Sequence, residues 1–156
     1  MSGDGLEQGR ARADQLAGRD LNNDGVVTNL ILCGDSRFYD YGWLEGELET
    51  WIEYNCWPDV IICGGASGID ALAERWAANH NIHFAAFEEA WSAPRPGVED
   101  SGRAEAAPEL VDTLLQYATH VLACPGPKSV WTHRMVDAAK AKGIHVMVRP
   151  VPGDAQ

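Results

Sequence analysis

Residues 60–70 read Val-Ile-Ile-Cys-Gly-Gly-Ala-Ser-Gly-Ile-Asp, and this run constrains the fold more than any other part of the chain. The apolar stretch Val60, Ile61 and Ile62 leads into closely spaced glycines. Apolar residues then recur at Ile69, Leu72, Ala73, Trp76 and Ala77, the spacing of one helix face. A buried strand, a glycine turn and a helix start in that order form an anion cradle. Glycines let the backbone come close to a ligand, and the unpaired amides and positive dipole end of a helix favour negative charge. The run therefore predicts a nucleotide-like ligand at the carboxyl end of a sheet.

The same alternation extends along the chain. Short apolar runs at 30–33, 60–63, 82–87, 120–124 and 144–148 read as strands. Between them lie helical patterns: Leu44, Leu48, Trp51 and Ile52; the segment 69–79; Leu110, Val111, Leu114, Leu115 and Ala118 after Pro108; and the segment 132–142, ended by Gly143. Apolar strands separated by helices predict an α/β protein, a Rossmann-like three-layer sandwich with a parallel sheet of about five strands. Residues 1–27 are polar and read as a flexible arm with a short helix near 8–16; residues 28–150 form the domain, and 151–156 a tail. The stretch 92–101, rich in proline and glycine, reads as a long loop.

Composition narrows the partners. With 23 acidic and 12 basic residues the net charge is −11, and no Lys/Arg cluster stands out, which argues against a nucleic-acid polymer. One small anion remains compatible, since it needs only a local field. No stretch is long and apolar enough to span a membrane, and the amino terminus lacks a basic-then-apolar leader, so a cytoplasmic address is expected with no membrane partner. The four cysteines form no CxxC pair; Cys33, Cys63 and Cys124 each end a strand, where a small buried hydrophobe fits. Cys63 and Cys124 are nucleophiles only in a speculative reading. No cofactor is expected. A homodimer or higher homo-oligomer is expected, with Trp51, Trp57 and Trp76 as candidate contacts.

Two further turns resemble the first in position. Gly34, Ser36 and Arg37 follow the first strand, where the guanidinium can hold a phosphate or carboxylate in bidentate fashion or else pair with Asp40 or a nearby acidic helix residue. In the second turn Gly64, Gly65, Ser67 and Gly68 supply the cradle, and Asp70 either caps its helix or holds a ribose hydroxyl. In the third, Gly126, Lys128, Trp131 and Thr132 follow the fourth strand: Thr132 caps the last helix, Lys128 adds charge, and Trp131 either stacks on a base or forms an apolar lid or contact. Trp91 and Arg103 bracket the long loop as ligand candidates. Arg103, Asp70 and His133 are the candidates for catalysis, with no catalytic set evident. Asp20, Asn22 and Asp24, with Gly25, match the first half of a calcium loop, but its twelfth position is Ile31. The half motif reads more simply as a solvated turn entering the sheet, and no metal is expected.

The order Gly-Asp-Ser-Arg, then Gly-Gly-Ala-Ser-Gly-Ile-Asp-Ala-Leu-Ala-Glu-Arg-Trp-Ala, then Trp91, then Pro-Gly with Thr132 resembles the SLOG superfamily, in its YspA-like branch, related to the Smf/DprA and LOG proteins. The resemblance covers residues 28–149 and is most specific over 64–77. It implies a Rossmann-like domain that binds a nucleotide or nucleotide-derived ligand, as a sensor or sequestering protein; the alternative is a LOG-type phosphoribohydrolase that splits nucleoside 5′-monophosphates. Some residues depart from the pattern. Pro127 replaces the second of a glycine pair, and Trp131 stands where glycine precedes Thr132. Met135 occupies the place of the LOG catalytic glutamate, and Arg103 lies slightly early for the Arg-Asn pair of the YspA-like group. Loss of that carboxylate favours binding over catalysis.

Overall fold

The computed structural model describes residues 4–16, 18–64, 68–87, 108–127 and 129–152. Its elements run α1 (Asp4–Leu16), β1 (Asn29–Gly34), α2 (Tyr41–Tyr54), β2 (Val60–Cys63), α3 (Ile69–Asn79), β3 (His83–Ala86), α4 (Pro108–Leu115), β4 (His120–Cys124), α5 (Val130–Ala141) and β5 (His145–Val148). All pairings are parallel, and the five strands lie in the order β3-β2-β1-β4-β5. The expected α/β sandwich is therefore present. The chain winds outward from β1 to β3, then crosses back to place β4 on the other side of β1. The order reverses between β1 and β4, the place where open α/β sheets bind their ligands.

Burial explains this arrangement. β1 sits at the centre with Leu30, Ile31 and Leu32 fully buried, and β2 is buried throughout, as strands covered on both faces require. Leu30, Leu32, Ile61 and Leu122 face Leu44, Leu48 and Trp51 of α2 and Ile69, Leu72 and Trp76 of α3. Ile31, Ile62, Val121 and Ala123 face α4 and α5 through Val111, Leu114, Met135 and Ala139. Asp40 starts α2 by accepting a hydrogen bond from the Trp43 N–H at 3.1 Å. Gly143, at φ +76°, follows the end of α5 in the left-handed conformation expected of it.

The amino-terminal segment departs from the expected flexible arm. Its helix α1 lies on the outer face of β3, with Ala13 and Leu16 buried in the core. Gly9 comes so close that a Cβ there would lie 2.9 Å from Phe87 Cα. Arg12 Nε donates to the Phe84 carbonyl at 3.0 Å, and Tyr117 OH donates to Asp14 at 2.7 Å. The polar sequence hides this because only a narrow apolar stripe is needed to cover one edge strand. The tryptophans proposed for a subunit contact are also placed differently: Trp51 and Trp76 are core residues of the chain itself, and only Trp57, 45% exposed and stacked on Trp76, reaches the surface.

Two stability outcomes follow. Ala13→Glu buries a charge beneath α1 and is expected to destabilise by about 2–3 kcal/mol in urea denaturation; a surface-like change within about 0.5 kcal/mol would detach α1 from the fold. At the amino edge of the sheet, His120 and His145 are register partners with rings 5.2 Å apart. Burial, then the charge of His145, lowers the His120 pKa. The unfolded chain takes up that proton near the ordinary value of about 6.5 and the folded chain resists it. Stability is thus complete above that pH and falls as pH drops through it toward the lowered folded value. His120→Gln should flatten this fall in thermal melts between pH 7 and 5; an unchanged slope would assign it to other groups.

Candidate functional site

Three turns meet at the carboxyl edge, and Asp35 joins them. Its N–H donates to the Cys124 carbonyl at 3.0 Å, tying the turn after β1 to the end of β4. Its own carbonyl accepts from the Ile69 N–H at 3.0 Å, tying the same turn to the start of α3. Glycine is required on both sides. Gly68 sits at φ +59°, ψ −129°, and a Cβ there would lie 2.5 Å from Ser36 Cα. A Cβ on Gly126 would lie 2.7 Å from the Asp35 Cγ, so the carboxylate occupies the space that a side chain on β4's turn would fill. Gly34 is equally confined, with Ile69 Cγ1 2.9 Å from the position of a Cβ.

Arg37 lies at the rim. Its backbone N–H donates to Asp35 Oδ1 at 2.9 Å, and its exposed guanidinium has no hydrogen-bond or ion-pair partner among the described residues. The alternative of a pair with Asp40 is not seen: that carboxylate caps α2. Ser36 and Gly34 are partly buried beside it, and Gly64 is buried at the end of β2. Gly126 is held by a 2.9 Å hydrogen bond from its N–H to Ser129 Oγ. Gly65, Ser67, Trp91, Arg103 and Lys128 lie outside the described residues.

Several residues are placed otherwise than expected. Helix α5 starts at Val130 with Ser129 as its N-cap, so Thr132 is inside the first turn and buried rather than capping it. Trp131 is 8% exposed and packs in the core beneath the sheet face, leaving no open ring face for a base. His133 is exposed on α5. Asp70 is in the first turn of α3, whose N-cap is Gly68, and its Oδ1 is buried. Asp70 sits near the thiols: Cys33 and Cys63 are pushed well above the usual thiol range, first by burial and then by its charge. Cys124 is pushed up to about 12, chiefly by burial. A nucleophile needs thiolate, so these cysteines are packing residues.

Away from the crevice, Asp20 and Asp24 meet Asp59, their oxygens within 4.8 Å of one another. Asn22 turns away from the group, its Nδ2 donating to the Trp57 and Pro58 carbonyls at 3.1 and 2.9 Å. Asp59 itself accepts from the Asn22 and Thr28 backbone N–H groups at 2.9 and 2.7 Å, which fastens the loop before β1 to the loop before β2.

With this geometry in place, the comparison with known families is direct. Residues 28–93 match the YspA, cpYpsA-related SLOG family. This agrees with the resemblance drawn from the glycine turns and covers β1 through β3, including the first two turns of the crevice. No curated protein and no solved structure matches the chain. The glycine pattern does not single out Asp35, because its contacts with Cys124 and Ile69 join residues distant in the chain. Ser129 stands three residues before Thr132, and the position where the helix begins decides that Ser129 is the N-cap.

Gly68→Ala is expected to destabilise by about 2–4 kcal/mol, since the side chain meets the Asp35–Ser36 backbone in a region of φ/ψ closed to alanine. Equilibrium denaturation beside Gly46→Ala, an open helical position, checks this; equal costs would mean that the turns are not locked together.

Proposed function

We propose that the chain binds a nucleotide or nucleotide-derived ligand in the crevice between the turns of β1 and β4, as a sensor or sequestering module. The observation that carries this reading is the exposed Arg37 guanidinium, without a hydrogen-bond or ion-pair partner among the described residues, in the turn that leaves β1 at the switch point of the sheet. Asp40, the acid that could pair with it, instead accepts the Trp43 N–H at the start of α2. The amino terminus of α5 adds its dipole on the β4 side. With Trp131 in the core, Tyr39, 60% exposed in the loop after Arg37, is an aromatic face among the described residues that could cover a base. Membership of residues 28–93 in a family tied to nucleotide-related ligands supports the same reading.

The phosphoribohydrolase alternative finds less support. Met135, at the position of the hydrolase glutamate, is fully buried on the inner face of α5 and offers no group to stabilise a ribosyl cation. Asp70 and His133 do not replace it, one being directed inward and the other outward on a different helix. Nothing in a binding role needs such a group. Self-association through exposed Trp57 belongs to the same proposal as a secondary feature, and light scattering at micromolar concentration decides it.

Thermal-shift titration with mono-, di- and cyclic nucleotides should raise the melting temperature for at least one of them. Arg37→Ala should weaken that ligand more than tenfold, about 1.4 kcal/mol, with the fold retained. If no nucleotide stabilises the protein at millimolar concentration, the reading is wrong.

A further inference from the structure

The crevice floor carries a feature that a plain anion cradle lacks. The Asp35 carboxylate projects from β1's turn across the switch point, against the Cα of Gly126, and is only partly buried. Its Oδ1 accepts the Arg37 N–H at 2.9 Å, which orients the group; most of its acceptor capacity is left unused among the described residues. An ionised carboxylate accepts hydrogen bonds and repels anions, so a phosphate does not settle on this floor. A few ångströms of chain away, the Arg37 guanidinium favours an anion and disfavours a second cation. An acceptor on the floor and a cation at the rim together match a ligand with neighbouring hydroxyl donors at one end and a phosphate at the other.

Resting on the reading of the crevice as a nucleotide site, we infer that Asp35 is its specificity-determining residue, accepting hydrogen bonds from the ribose hydroxyls, so that the ligand class is ribonucleotides and not deoxyribonucleotides or free phosphate. Gly126 is part of the device: a side chain there displaces the carboxylate from the floor. The selectivity follows from a general asymmetry. A site built to accept a hydroxyl proton penalises an analogue that lacks it, because the acceptor, covered by the bound ligand, then has no partner.

The experiment titrates the full chain with the 5′-monophosphates of adenosine, guanosine, cytidine and uridine, each beside its 2′-deoxy counterpart, with inorganic phosphate as control. The expected result is at least tenfold tighter binding of a ribonucleotide than of its deoxy form, with phosphate weaker than either. Asp35→Asn keeps the acceptor for the Arg37 N–H while removing the charge, and should compress the ribose preference to threefold or less. A purely structural role would lower the melting temperature and leave the ratio intact. Equal binding of ribo and deoxy forms by the parent chain, or an unchanged ratio in Asp35→Asn, overturns the assignment while the crevice remains a nucleotide site. Binding of none of these nucleotides overturns this assignment together with the nucleotide reading. The parent-chain comparison decides the matter even if the variant does not fold.

Discussion

The backbone of Asp35 joins three elements that are far apart in sequence. Its N–H reaches the carbonyl that ends β4, and its carbonyl takes the first free amide of α3. An α-helix leaves its first amides without internal partners, and here one is satisfied by the turn of a different strand. This close approach is possible only because Gly34, Gly68 and Gly126 leave no side chains in the way. The separation of the β1 and β4 turns, the position of α3 over the sheet and the shape of the crevice all depend on that junction. The same contact reduces the number of free amides at the start of α3.

Below the junction the sheet is apolar on both faces, and the strand-ending cysteines are part of it. Their placement at the carboxyl edge suggested chemistry, but burial decides their character. A thiol with its pKa raised by desolvation and by the neighbouring Asp70 charge stays protonated and packs like a small hydrophobe. The tryptophans behave similarly. Trp51, Trp76 and Trp131 occupy volume in the layers on either side of the sheet, which removes them from the candidates for ligand or subunit contact. Among the described residues, the turns at the carboxyl edge carry the Arg37 guanidinium, the Asp35 carboxylate and the Ser36 and Ser129 hydroxyls.

Departures from the family pattern fit this picture. Pro127 and Trp131 replace residues that would leave the third turn open, and the turn is instead closed by the Gly126–Ser129 hydrogen bond and by the buried indole ring. A hydrolase needs a carboxylate at the reacting bond, and Met135 places an apolar side chain inside the core at that point.

The sequence by itself determined the alternation of elements, because hydrophobic period and glycine punctuation are local properties. The observed strands lie within a residue or two of 30–33, 60–63, 82–87, 120–124 and 144–148, and Pro108 and Gly143 mark helix ends where expected. It also marked the strand ends where the backbone approaches itself closely, since Gly34, Gly68 and Gly126 stand where a side chain would collide. Only the tertiary structure decided the strand order, and with it which turns face each other across β1 and β4. It decided that α1 covers β3, that Asp59 joins Asp20 and Asp24 from another loop, and that Asp35 rather than Asp70 projects over the crevice floor. The reason is common to all of these. They depend on contacts between residues distant in the chain, and burial, close approach and charge pairing exist only once the sheet has brought those residues together.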